Sequence, residues 1–162
     1  MLARMTGEKA QTQGERVRLE TLWHCDLDLD PAERAAWTDE IMRVQERALA
    51  ATSSGITIAD ASRSERPLIY CNDAFTDITG YAPSEVLGQS CRFLQGPETD
   101  PDAVQTLRDA LHSGEGCKVV LKNYRKDGAS FWNELIISPV YSGAGELTYF
   151  IGVQHDVTAR VE

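Results

Sequence analysis

Long apolar runs are missing from this chain. No stretch approaches the roughly 20 residues a helix needs to cross a bilayer, and the opening MLARMTGEKAQTQGE lacks the apolar core of a secretory signal. No membrane association is expected, and a cytoplasmic location is. Cysteine is sparse too: residues 25, 71, 91 and 117 form no C-x-x-C pair and fall far short of a disulfide scaffold, so neither a metal site nor a disulfide framework is expected. Positive charge is in deficit, with 16 Lys and Arg against 25 Asp and Glu and a net charge of -9. That balance argues against direct nucleic-acid binding through bulk electrostatics. Internal repeats and low-complexity segments are also lacking.

What remains is enough apolar material, 42% of residues, for one domain of ordinary size plus an appendage. Residues 1–29 have no hydrophobic period and read as a flexible or partly helical extension. Over 30–51 an amphipathic helix is expected. Asp30 stands at its N-cap and Pro31 at its first position, and Trp37, Ile41, Val44 and Ala48 recur at helical spacing. Such a helix either covers the core of the next domain or serves as a dimer contact or signal-bearing element.

Residues 52–157 carry the folded core. GITIAD and PLIYC read as strands, NDAFTDITGY and APSEVLG as short helices, and 100–114 as a longer helix. That longer helix has Asp100 as cap, Val104, Leu107 and Leu111 facing inward and Gly114 as stop. Three long strands follow at 116–126, 129–141 and 146–157. The order implies an α+β fold: a five-stranded antiparallel sheet with helices on one face and an N-terminal helical extension.

Strand alternation puts Asn123 on the face shared by Cys117, Val119 and Leu121. The next strand depends on its turn. A two-residue Asp127-Gly128 turn pairs Asn123 with Trp132, whereas a three-residue Lys126-Asp127-Gly128 loop with a left-handed Gly128 pairs it with Phe131. The second register is preferred, and it sends Phe131, Asn133, Leu135 and Ile137 to the helix-covered side. Phe150, Gly152 and Gln154 alternate likewise, with Gly152 allowing close approach of something flat. Three carboxamides on one apolar face either bond loop backbone or want a polar guest, since a buried amide without partners costs ~1–3 kcal/mol. A planar heterocycle with alternating carbonyl and N–H groups satisfies them. Arg92 and Arg108 either converge on an anionic group of that guest or are ordinary surface arginines.

These residues resemble the light-oxygen-voltage (LOV) subset of PAS domains, blue-light receptors that hold flavin mononucleotide (FMN). The match runs from about 55 to 158. GQSCRFLQGPETD resembles the family's G-x-N-C-R-F-L-Q and is followed by LRDAL, NYRKDG, FWNEL and YFIGVQ in the family's order. The resemblance implies a reversible bond between the Cys91 sulfur and flavin carbon C4a, formed under blue light, with flavin N5 turning from acceptor to donor. It makes Arg92 and Arg108 phosphate ligands, Gln95 a ribityl contact, and Asn123 and Asn133 partners of the pyrimidine edge. Gln154 is the implied relay at N5 and O4, and Thr57, Leu94, Leu135, Ile137 and Phe150 line the ring. It also places the start of a C-terminal helix at 158–162, through which light changes flanking-helix or dimer arrangement.

Two departures from the family stand out. Ser90 replaces the usual Asn before the cysteine, a change expected to affect dark recovery rather than binding. Thr57 stands where many relatives have Val or Ile, and its hydroxyl either admits water or bonds backbone. Cys71 and Cys117 read as packing residues, and the pair His24-Cys25 is weak as a ligand set. His155 is placed on the outer sheet face, where Trp132, Ile136, Ile151 and Val153 form an apolar strip for the N-terminal helix or a second subunit. A homodimer is therefore expected, signalling to an unknown downstream partner. The chain holds no kinase, cyclase or DNA-binding motif, so it reads as a sensory module rather than an enzyme. The competing readings are a non-photochemical flavin-binding redox sensor and the sensory portion of a histidine kinase.

Overall fold

The computed structural model describes residues 30–161, with side chains for all of these except 33–38. The expectations for residues 1–29, for His24-Cys25 and for the side chain of Trp37 lie outside the described residues. Helix α1 spans Pro31–Ala51, and the Asp30 carboxylate accepts from the Ala32 amide at 2.8 Å. Its described apolar side chains are largely open to solvent. Met42 and Val44 are 55% and 52% exposed, Ala48 is exposed, and Ile41 is only half-buried. Glu40, Arg43, Glu46 and Arg47 alternate with these apolar positions along the helix.

Strands β1 (Gly55–Asp60) and β2 (Leu68–Cys71) open the domain. Helices α2 (Asp73–Thr79) and α3 (Pro83–Val86) follow, then a 3₁₀ turn at Cys91–Leu94 and helix α4 (Pro101–Ser113). Strands β3 (Cys117–Tyr124), β4 (Ser130–Tyr141) and β5 (Leu147–Asp156) lead into helix α5 (Thr158–Val161). All pairings are antiparallel, in the order β2-β1-β5-β4-β3. The terminal strand β5 thus lies in the middle of the sheet. Among the described residues no helix is long and apolar enough to cross a membrane.

Local chemistry sets most boundaries. Asn72 caps α2 by accepting from Phe75 N at 3.0 Å, and Gly80, with φ of 78°, closes it in the left-handed region that a side chain resists. Helix α4 runs between Asp100, whose carboxylate accepts from Asp102 N, and Gly114 at φ of 71°. The β3–β4 hairpin takes the three-residue loop, with Gly128 at φ of 88°, and Asn123 faces Phe131 while Leu121 faces Asn133. One core cluster joins Leu68, Phe75, Val86 and Leu94, with Cys71, Cys91 and Phe93 packed against it. Phe75 is fully buried, and losing such a side chain costs about 3–5 kcal/mol.

Candidate functional site

The inward face of the sheet, the 3₁₀ turn and α4 enclose a cavity of about 320 Å³, at the lower end of the range for small-molecule sites. One floor row crosses all five strands through the pairings Cys71–Thr57, Thr57–Gly152, Gly152–Ile137 and Ile137–Cys117. The neighbouring row holds Gln154 opposite Leu135, and beyond it Asn133 opposite Leu121. Phe150 completes the β5 contribution. Because alternate residues of a strand share a face, four carboxamide and hydroxyl side chains, Thr57, Asn123, Asn133 and Gln154, meet over an otherwise apolar floor.

The structure brings every residue expected at the site to this one cavity. Thr57, Leu135, Ile137, Phe150 and Gly152 form its floor with the three carboxamides. Ser90, Cys91, Arg92, Leu94 and Gln95 come from the 3₁₀ turn and its flanks, and Arg108 from α4. Missing from the expected set were Ser64, Glu65, Arg66 and His112, which line the mouth. The link ASRSER looks merely polar in sequence. Its folding over the mouth depends on Arg66, a non-glycine residue at φ of 46°, donating to the Leu111 carbonyl at 3.3 Å. Arg92 bonds Glu65 at 2.5 Å, and its Nε donates to Ser90 Oγ at 3.2 Å. His112 Nδ1 donates to the Arg108 carbonyl at 2.7 Å. Four cationic or ionisable groups and one carboxylate therefore rim the opening.

The carboxamides are partly, and unequally, satisfied. Asn133 Nδ2 donates to Asn123 Oδ1 at 2.9 Å, and Asn123 Nδ2 donates to the Lys122 carbonyl at 3.3 Å. Gln154 Nε2 donates to Thr57 Oγ1 at 3.5 Å. Asn133 Oδ1 and Gln154 Oε1 are buried with no partner, each on a residue at most 2% exposed. Buried acceptors left open cost enough that a native site supplies donors for them. The cavity therefore fits a flat guest whose edge carries N–H groups beside carbonyls, which is the donor and acceptor pattern of a flavin's pyrimidine edge. The arginine rim suits an anionic tail on the same guest.

Cys91 lines this cavity as a half-buried residue packed against the core cluster. Burial pushes its pKa up from 9.0 to about 12, against a smaller opposing pull from a hydrogen bond to Thr57. Its proton stays on across the physiological range, so it is inert as a ground-state nucleophile. Cys71 and Cys117 are also raised by burial, consistent with packing residues on the floor row. Among the described residues no cluster of His, Cys, Asp or Glu is arranged to hold a metal. On the opposite sheet face His155 Nε2 bonds Ser54 Oγ at 2.7 Å, and Trp132, Ile136, Ile151 and Val153 are half-buried.

A family model described as "PAS domain" matches residues 53–159. A blue-light photoreceptor of Listeria monocytogenes is 47% identical over 114 residues, covering 70% of this chain and 45% of the relative. Blue-light-activated histidine kinase 1 of Erythrobacter litoralis is 46% identical over 133 residues, covering 82% of this chain and 34% of the relative. A solved RNA-binding light-oxygen-voltage receptor superposes with a TM-score of 0.72 at 44% identity, over 76% of this chain and 35% of that one. The chain thus spans less than half the length of these curated relatives.

Proposed function

Because this chain belongs to the PAS domain family and is of its light-oxygen-voltage type, we propose that it is a blue-light sensor that holds FMN in the cavity and signals through Cys91 and Gln154. One observation carries the reading: Cys91, whose thiol is held protonated, lines one cavity together with Asn133 and Gln154, each carrying a buried carboxamide oxygen without a partner. Bound there, a flavin supplies blue-light absorption and the ring carbon to which the sulfur bonds reversibly.

The chain's own residues do the rest. Cys91 keeps its proton in the dark and is held at the cavity by the 3₁₀ turn, so no competing base is needed. Asn123 and Asn133, tied to each other, present Asn133 Oδ1 to an N–H of the ring edge. Arg92 and Arg108 would hold the phosphate, in competition with Glu65 for Arg92. Arg66 and His112 add to that rim, which favours a single phosphate close to the mouth. Leu94, Leu135, Ile137 and Phe150 exclude water, while Thr57 and Gly152 leave room for the ring. Gln154 can both donate and accept, so it registers a change of hydrogen on the ring nitrogen it faces. Ser90 and Gln95 flank the thiol and the tail.

The output reading follows from placement. β5 carries Gln154 and runs directly into α5, and the outer apolar strip lies on the same strand and its neighbour. A homodimer formed through α1 and that strip is the arrangement light shifts, and any enzymatic output belongs to a partner or to further sequence. The test is an absorbance trace of the purified chain. Blue-light bleaching that recovers in the dark and is abolished in Cys91→Ala supports the reading, and chromatography of the released cofactor identifies FMN. A flavin that stays light-inert in the wild type supports the redox-sensor reading instead, and a colourless protein that takes up no flavin overturns both.

A further inference from the structure

Strand β3 is an edge of the sheet, paired with β4 alone. An open edge presents carbonyl and N–H groups that need covering. Here the cover is the segment 96–99, which follows directly on the 3₁₀ turn Cys91–Leu94 and Gln95. Thr99 Oγ1 donates to the Lys122 carbonyl at 2.6 Å, Tyr124 Oη accepts from Glu98 N at 3.1 Å, and Lys122 Nζ is paired with Glu98. The direction of the first two bonds is fixed, because a carbonyl only accepts and a backbone N–H only donates. Thr99 Oγ1 also accepts from Gly96 N at 2.9 Å, so one hydroxyl joins both ends of the segment to the strand. Gly96 lies against the Tyr124 ring so closely that a Cβ there would collide with Cδ2 and Cε2.

This clasp joins two parts of the cavity wall. Cys91, Arg92, Leu94 and Gln95 line the cavity on one side, and Asn123, between Lys122 and Tyr124, lines it on the other. The hold on Lys122 and Tyr124 therefore sets how far the thiol-bearing turn stands from the strand that presents Asn123. We propose that Thr99 and Tyr124 are positioning residues that act from outside the cavity to fix the approach of Cys91 to the ring. The inference rests on the flavin reading above. In the step concerned the sulfur bonds ring carbon C4a, the S–H bond breaks and its hydrogen passes to N5, so light is the only further requirement. Bond formation depends steeply on placement, and a shift of ~1 Å can cost about a hundredfold in rate. Holding the ring is less demanding, because its contacts are spread over the whole floor.

The experiment uses the full chain loaded with FMN, as wild type, Thr99→Val, Thr99→Ser and Tyr124→Phe. Valine keeps the shape and loses the hydroxyl, serine restores it, and phenylalanine keeps the ring against Gly96 without the oxygen. After one limiting blue flash at saturating FMN, two quantities are read: the fraction of bound flavin bleached and the lifetime of the excited flavin's transient absorbance. Thr99→Val and Tyr124→Phe are expected to lower the bleached fraction about three- to tenfold and to lengthen that lifetime, with FMN affinity within about twofold of wild type. Thr99→Ser is expected to match wild type in both. Yield and lifetime unchanged in both Thr99→Val and Tyr124→Phe would overturn the inference while leaving the photoreceptor reading intact. So would a weaker hold on FMN with the yield of the bound fraction unchanged, or a lost yield that serine fails to restore. A wild type that binds FMN but does not bleach removes the photoreceptor reading itself, and this one with it.

Discussion

Cys91 differs from an exposed thiol chiefly in what burial does to its proton. The folded state holds that proton up to about pH 12, whereas an unfolded chain releases it near 9.0. Two outcomes follow at this scale. The extent of blue-light bleaching is expected to be flat between about pH 6 and 9, because the thiol stays protonated throughout. Stability should decline as pH rises from 9 toward 12, since only the unfolded chain loses the proton there. Urea unfolding of wild type and Cys91→Ala across that window isolates the effect, and an equal decline in both would refute it. Gly152→Ala is the second residue test. Its Cβ would meet Thr57 Oγ1 at 2.6 Å, so a loss of about 1–3 kcal/mol is expected, read by thermal melting alongside the flavin-to-protein ratio.

Elements are joined in this fold by a few polar side chains that serve more than one of them. Asn72 accepts from Ile56 N at 2.8 Å and from Phe75 N at 3.0 Å, and donates to the carbonyls of Leu49 and Ser54, each at 3.0 Å. It ties the end of α1, the start of β1 and the cap of α2 through one amide. Asn72→Ala is expected to cost about 2–3 kcal/mol in urea unfolding, more than a cap alone, because four backbone groups lose their partner together. At the far end of β5, Asp156 accepts from Thr158 N at 3.0 Å and from Thr158 Oγ1 at 2.6 Å, and is paired with Arg125. Arg125 also donates to the Ile78 carbonyl and stacks on Phe131 at 4.5 Å. Partial burial pushes the Asp156 carboxyl up, but the bonds from Thr158 and Arg125 outweigh it and hold the pKa below 3.8. A lowered carboxylate stabilises the fold above its unfolded pKa and loses that contribution as pH falls through the folded value. Hydrogen-exchange protection at 158–161, relative to the intrinsic rate at each pH, should therefore fall on acidification below about pH 4, and in Asp156→Asn it should already be low at neutral pH.

The molecule as a whole presents two unlike faces. Inside, the sheet is closed by helices over the cavity; outside, Trp132, Ile136, Ile151 and Val153 remain half-buried and Val120 is 42% exposed. On helix α1, Met42 and Val44 are exposed as well. A second copy would bury both. Sedimentation of the full chain is expected to show a dimer that Val153→Asp converts to monomer, with dark and light samples differing in the wild type. A monomer at all concentrations in the wild type would remove that part of the reading. Because each copy carries a net charge of -9, added salt that screens their mutual repulsion is expected to strengthen such a dimer.

Legibility divides along the range of the interactions. Caps, stops and the β3–β4 register were readable because each depends on a few adjacent residues. Asp100 and Gly114 bound α4, and a left-handed Gly128 selects the three-residue loop that sets Asn123 against Phe131. The inward placing of Asn123, Asn133 and Gln154 followed from a period of two. Pairings between distant segments were not readable. The central place of β5, the fold of the β1–β2 link over the mouth through Arg66, and the Glu65–Arg92 pair depend on contacts between residues far apart in the chain. The Thr57–Gly152 hydrogen bond is of the same kind, joining positions 95 residues apart. Alternation can say which side chains share a face, but only packing decides which of their polar atoms find partners and which, like Asn133 Oδ1 and Gln154 Oε1, are buried without one.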